Sequence, residues 1–305
     1  MSEDARKSAH AGVIAMIAAC VIWGLSPLYY RLINHVPPAD ILAQRTIWSV
    51  VFFVVVLMLQ RRLKVLGRAI ADRRQIFWIM LAALLISVNW FLFIYAIQID
   101  RVTQTSLGYY IYPLVSVLLG MIVFGERLSV VQWLAVGLAL VAVLVLTGGL
   151  GTAPWISLVL ASTFGVYGVL KKRVATGPVV SVTAEVLVLA PLALIWLFAF
   201  ADPLPGDAET WGLLILSGPM TAVPLILFSF AAKRVRLATV GLLQYLNPSI
   251  QFLLAAVVLG EPMGLAHAIA FPLIWVGLAI YSWSALSQDR AARTASARAA
   301  TVGTG

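Results

Sequence analysis

Ten apolar runs follow one another along this chain, each close to the length of a membrane-crossing helix, and the connections between them are short. A bilayer core about 30 Å thick takes about 20 helical residues to cross. The runs occupy residues 11–33, 41–59, 76–97, 105–124, 130–147, 154–170, 179–200, 211–232, 238–259 and 266–286. None shows the alternating polarity of a barrel strand. The pattern predicts an all-α polytopic membrane protein with ten transmembrane helices. Composition points the same way, because 62% of the 305 residues are hydrophobic and only 11% are charged. Soluble domains carry about 25% charged residues, so this chain has too little charge to cover a water-facing surface.

The basic residues set the orientation. With the N-terminus inside, every one of the 21 Lys and Arg except Arg31, Arg45 and Arg101 falls on a cytoplasmic segment, as the positive-inside rule requires. The largest cluster, Arg61 to Arg74, lies between the second and third runs, and the loop "ADPLPGDAET" on the other side has three acids and no base. Both termini are expected in the cytoplasm. The net charge of +9 is therefore a topology signal and implies no nucleic-acid partner. "IAAC" at residues 17–20 resembles a lipoprotein cleavage box, but the apolar run continues through Trp23 and Pro27 to Tyr30, too long for a signal peptide core. The single cysteine, Cys20, excludes an internal disulfide.

A segment with an awkward composition occurs twice. "LGYYIYPLVSVLLGMIVFGERL" (107–128) and "LLQYLNPSIQFLLAAVVLGEPM" (242–263) each place Gly-Glu twelve residues after a proline. A shift of 135 puts Tyr110 on Tyr245, Pro113 on Pro248, Gly125 on Gly260 and Glu126 on Glu261. Earlier in each half the shift is 140, placing Pro38 on Pro178 and Arg45 on Glu185. The expected units are a first five-helix repeat at 11–147, a second at 154–286, and a disordered cytoplasmic tail at 287–305 rich in Ala, Thr, Arg and Gly. Five is odd, so the second unit enters the membrane inverted. Inverted-topology repeats mark secondary transporters, whose substrate sites lie near the midplane between the halves.

The stretches "WGLSPLYYRLI", "VNWFLFIYAI", "SLGYYIYPLVSVLLG", "PWISLVLASTFGVYGVLKK" and "GLLQYLNPSIQFLLAAVVLGEP" resemble the EamA-type transporters of the drug/metabolite transporter superfamily, the RarD branch in particular. The resemblance runs from Ala11 to about Leu286. It implies a bacterial inner-membrane permease of two five-helix repeats, with a central cavity lined by spans one, three, four, six, eight and nine. It also implies export of small metabolites or drug-like molecules by alternating access. Alternatives are an importer, a lipid-linked substrate flippase, and a membrane-embedded sensor or enzyme.

Intramembrane polar groups are expensive in hydrocarbon and face a cavity or a partner. Arg45 and Glu185 are read as gating or coupling residues near opposite faces. Arg45 pairs with Asp40 or Asp100 in an outer gate, or alternatively contacts an anionic substrate. Glu185 pairs with the Lys171, Lys172, Arg173 cluster, or alternatively carries a coupling proton, since burial raises a carboxyl pKa. The expected binding chamber comprises Trp23, Tyr30, Asn89, Trp90, Tyr109, Tyr110, Tyr112, Tyr167, Phe228, Gln244, Tyr245 and Asn247. Such a set is mostly apolar with a few placed polar groups, as ligand sites are, although membrane amides also bind neighbouring helices. Pro113 and Pro248, matched in the repeat, are expected kinks. There is no phosphate loop, no HExxH and no metal-ligand spacing of His10, His35 and His267. The expectation is no enzyme, no cofactor and no metal, with a small-molecule substrate, the lipid bilayer and a monomer or homodimer.

Overall fold

The computed structural model describes residues 3–125, 129–151, 153–171, 173–201, 207–232, 234–235, 240 and 243–302. Among these, every regular element is helical. The helices are α1 (Glu3–Leu32), α2 (Pro38–Leu59), α3 (Leu63–Ala71), α4 (Arg73–Gln98), α5 (Val102–Phe124) and α6 (Val130–Leu150). They continue with α7 (Trp155–Lys171), α8 (Pro178–Ala199), α9 (Ala208–Ala232), α10 (Leu246–Leu253) and α11 (Leu265–Val302). Eight carry a segment long and apolar enough to cross a membrane, and two shorter apolar helices are Trp155–Lys171 and Leu246–Val258. In hydrocarbon every backbone N–H and C=O needs an internal partner, and helices supply it. The chain is an all-α polytopic membrane protein.

Local chemistry sets the helix ends. Proline opens α2 and α8, where its missing N–H costs nothing. The Asp72 carboxylate accepts from Arg74 N at 2.8 Å and Gln75 N at 3.2 Å to start α4. Ser129 and Gln132 form a capping box on α6. Gly125 ends α5 with φ of 66°, and its repeat mate Gly260 has φ of 64°. Only glycine adopts that left-handed conformation cheaply, so the repeated Gly-Glu marks a helix end in both halves.

Packing pairs each half with the other. α1 lies on α9 and on α10, while α7 lies on α4 and on α5. α2 packs against α8, α5 against α10, and α6 against α11. Close approaches fall at glycines. A side chain at Gly24 would meet Ile250 at 2.7 Å, and one at Gly165 would meet Val115 at 3.0 Å. Val115 and Ile250 are 135 residues apart, so the α1–α10 and α7–α5 contacts use matched positions. On the outside, Phe198 is 88% exposed and Leu265 78% exposed, as suits side chains that face lipid.

Three features depart from the sequence reading. The basic segment between the second and third runs contains α3, which buries Leu66 and Ala69 and exposes Lys64 and Arg68. Its buried face is covered by α8 and α4. The ninth run is no uniform helix: Tyr245 is a turn, α10 follows, and the chain widens into a π-helical segment at Leu254–Val258. Residues 238–239 and 241–242 at its beginning lie outside the described residues, as do Glu126 and Arg127 of the first Gly-Glu turn. Finally, α11 continues to Val302 through the tail read as disordered, where Ala and Arg are strong helix formers.

Candidate transport site

Arg45 sits on the eighth residue of α2, about 10 Å along the axis at 1.5 Å per residue. Its side chain reaches across to α9 and α4. Nε donates to Thr221 Oγ1 at 2.8 Å, and Thr221 donates its own proton to the Ser217 carbonyl at 2.9 Å. The guanidinium lies 4.1 Å from the centroid of Trp90 and 6.0 Å from that of Tyr30, within cation–π range. The residue is only 8% exposed. Neither expected gate partner reaches it. Asp40 accepts the Trp196 indole N–H at 2.7 Å, and Asp100 pairs with Arg31. Among the described residues no carboxylate lies within ion-pair distance of Arg45, because the acids near the N-terminal end of α2 are held by other donors.

Glu185 has the opposite arrangement. It is fully buried on α8, accepts from Tyr167 Oη and Ser181 Oγ, each at 2.9 Å, and forms an ion pair with Lys171. Of the three bases considered, Lys171 is the partner; Lys172 lies outside the described residues, and Arg173 stacks over Trp78 at 5.5 Å. A buried carboxylate with a cation and two hydroxyl donors is well satisfied. The two corners stand at nearly the same offset in sequence. Glu185 lies 140 residues after Arg45, and Lys171 lies 141 after Tyr30.

A string of aromatic rings joins these corners. Tyr30 to Phe93 is 6.0 Å between centroids, Phe93 to Tyr109 5.9 Å, Tyr109 to Phe164 6.1 Å, and Phe164 to Tyr167 5.8 Å. Tyr112 touches the string at Phe164, 4.8 Å away. The string crosses α1, α4, α5 and α7 and ends on Glu185. Pro113 lies inside α5 and has no N–H for the Tyr109 carbonyl one turn earlier, so a backbone acceptor is freed beside this path. A second aromatic contact, Trp23 with Phe228 at 6.2 Å, joins α1 to α9.

The remaining predicted residues do not converge here. Tyr110 and Tyr245 line a groove of about 620 Å³ with Ser249, Phe252, Trp275 and Trp283, and Tyr110 Oη is 2.7 Å from Ser249 Oγ. Asn89 is buried and spends its amide on α7, donating to the Leu160 carbonyl at 2.9 Å and Thr163 Oγ1 at 2.8 Å. Asn247 accepts from Gln251 at 2.9 Å, and Gln251 accepts from Thr105 at 2.9 Å, a network between α10 and α5. Gln244 is half-buried just before the turn at Tyr245. Pro248 falls in the first turn of α10, so it differs from Pro113 in being an opening residue rather than a mid-helix kink.

Several contributors escaped the sequence reading. Phe93 is the 135-shift mate of Phe228, and Phe164 stands 141 after Trp23, so applying the repeat to the chosen aromatics finds both. Thr221 has no such signal. Glu261 is 8% exposed and accepts from Val102 N at 2.5 Å, Thr103 N at 2.8 Å and Thr103 Oγ1 at 2.5 Å. The second Gly-Glu thus ends one helix and caps the start of α5. Just before the first residue of α9, hydrogen bonds from Thr210 hold the exposed Asp207 carboxyl below its usual pKa.

Comparison with known proteins places this arrangement. The EamA-like transporter family profile matches residues 10–148 and again 153–283. Protein RarD of Escherichia coli (strain K12) is 41% identical over 292 residues, covering 93% of this chain and 98% of that protein. Protein RarD of Streptomyces exfoliatus is 42% identical over 290 residues, covering 92% and 91%. The uncharacterized transporter YojE of Bacillus subtilis (strain 168) is 39% identical over 289 residues, covering 93% and 97%. A solved protein crystal structure superposes with a TM-score of 0.59 at 21% identity, covering 89% of this chain and 96% of the other, which is a likeness of fold. With two profile matches and relatives of about 40% identity along nearly its whole length, the chain belongs to the EamA-like transporter family.

Proposed function

We propose that this membrane transporter is a secondary-active carrier that exports a small organic molecule by alternating access between two inverted five-helix halves. The observation that carries the reading is the exchange symmetry of the helix contacts: α1 on α10 through Gly24 and Ile250, α7 on α5 through Gly165 and Val115. Halves built alike and inserted oppositely have inward-open and outward-open states that nearly mirror each other. Such states lie close in energy, and a small differential affinity shifts the population between them. The aromatic string from Tyr30 to Tyr167 supplies the path, with Arg45 at one end and Glu185 at the other. Glu185 is the coupling site in this reading, taking up a proton when Lys171 swings away. The protein resides in the bacterial inner membrane with both termini cytoplasmic.

The test uses single cysteines in a Cys20→Ala background, Gln44→Cys beside Arg45 and Ala184→Cys beside Glu185, in liposomes. A membrane-impermeant maleimide should reach the two positions from opposite faces, and an imposed pH gradient should change the two rates in opposite senses. One fixed accessible side under every gradient, together with no solute movement, refutes the carrier.

A further inference from the structure

We propose that Arg45 is an anion anchor and that the transported molecule is a small organic acid with an apolar body. The proposal deepens the carrier reading and rests on it for the word transported. The guanidinium has five N–H donors in a fixed fork. Nε is used on Thr221, whereas the terminal nitrogens have no hydrogen-bond acceptor and no carboxylate among the described residues. Burying an unpaired charge is very costly, and an intramembrane cation with no counter-charge of its own marks a substrate or ion pathway. The other buried charge of the site, Glu185, shows what a satisfied one looks like here, with a lysine and two hydroxyls on its oxygens.

The surroundings define the rest of the ligand. A guanidinium fork binds a carboxylate in bidentate fashion. Trp90 and Tyr30 flank the cation, and Phe93 and Tyr109 continue the wall toward α7. That wall is apolar and aromatic, so it accepts a ring or branched chain attached to the acid and offers no counter-charge for a second cationic group. The ion also suits the direction. An inside-negative potential favours outward movement of a monoanion by roughly 50-fold per 100 mV.

The experiment titrates the purified protein with a fixed set of aromatic and branched-chain carboxylates, each matched by its neutral amide, reading tryptophan fluorescence and melting temperature. The same pairs are then assayed for movement in proteoliposomes. At least one acid should bind at least tenfold more tightly than its amide. Arg45→Gln should erase that preference, and Arg45→Lys should retain part of it. Trp90→Leu keeps the charge, so it should weaken an aromatic acid while leaving the acid-over-amide preference in place; this variant guards against misfolding of Arg45→Gln. Equal binding of acids and amides, no acid binding at all, or an Arg45→Gln variant that prefers acids as the parent does, each overturns the anchor. Arg45-dependent acid binding without movement under any gradient would instead leave the anchor standing and sink the carrier.

Discussion

Removing the Glu261 carboxylate should loosen the whole bundle, and the size of the effect follows from its contacts. The side chain is 8% exposed and receives two backbone N–H groups and one hydroxyl at the start of α5. Bonds to a charged group contribute about 1.5–3 kcal/mol each, and an anion at a helix N-terminus adds up to about 2 kcal/mol. These terms overlap, because water replaces part of what is lost. Glu261→Gln keeps one acceptor oxygen but turns an amide donor toward other donors, so a cost of about 2–4 kcal/mol is expected. Glu261→Ala leaves all three donors bare and should cost about 3–5 kcal/mol. At about 2 °C per kcal/mol for a chain of this size, Glu261→Gln should melt about 4–8 °C below the parent. The assay is thermal unfolding in detergent followed by tryptophan fluorescence, with Val130→Ala as control because Val130 is 85% exposed. If Glu261→Gln melts within about 1 °C of the parent, the cap does not hold α5 and the reasoning fails.

The Lys171–Glu185 pair makes a double-mutant cycle informative. Lys171→Met alone should destabilise by about 3–5 kcal/mol by stranding a buried charge, and the double variant with Glu185→Gln should recover most of it. Additive losses in that cycle would count against the ion pair. For transport, Glu185→Gln should abolish dependence on a pH gradient, and retained dependence would leave Glu185 a fastening role only. Gly218→Ala brings a methyl 2.5 Å from the Trp48 carbonyl, so α2 and α9 must separate. Overpacking of this kind costs about 1–3 kcal/mol, and a variant as stable as the parent would show that the two helices are not tightly apposed.

Membrane spans were legible in the sequence because they depend on local composition. An apolar run of about 20 residues forms a helix in lipid whatever its neighbours are, and the helices largely follow the runs. The left-handed glycines at 125 and 260 were foreshadowed as well, since the recurring Gly-Glu is a linear feature. The ninth run shows the limit. Its proline was visible, but a turn at Tyr245 and the π-helical segment at Leu254–Val258 depend on the helices packed around it.

What the sequence alone determined is therefore an all-helical membrane chain with a set of expensive polar residues. Which of those residues meet was decided only by tertiary structure. Tyr109 and Tyr110 are neighbours in sequence, yet one turn of helix takes 3.6 residues, so they point about 100° apart. Tyr109 joins the aromatic string and Tyr110 the groove shared with Tyr245. Arg45 was expected to pair with Asp40 or Asp100, but those acids are held by Trp196 and Arg31. The outcome turns on which helix faces which, and at what rotation, and no periodicity within a single helix carries that information.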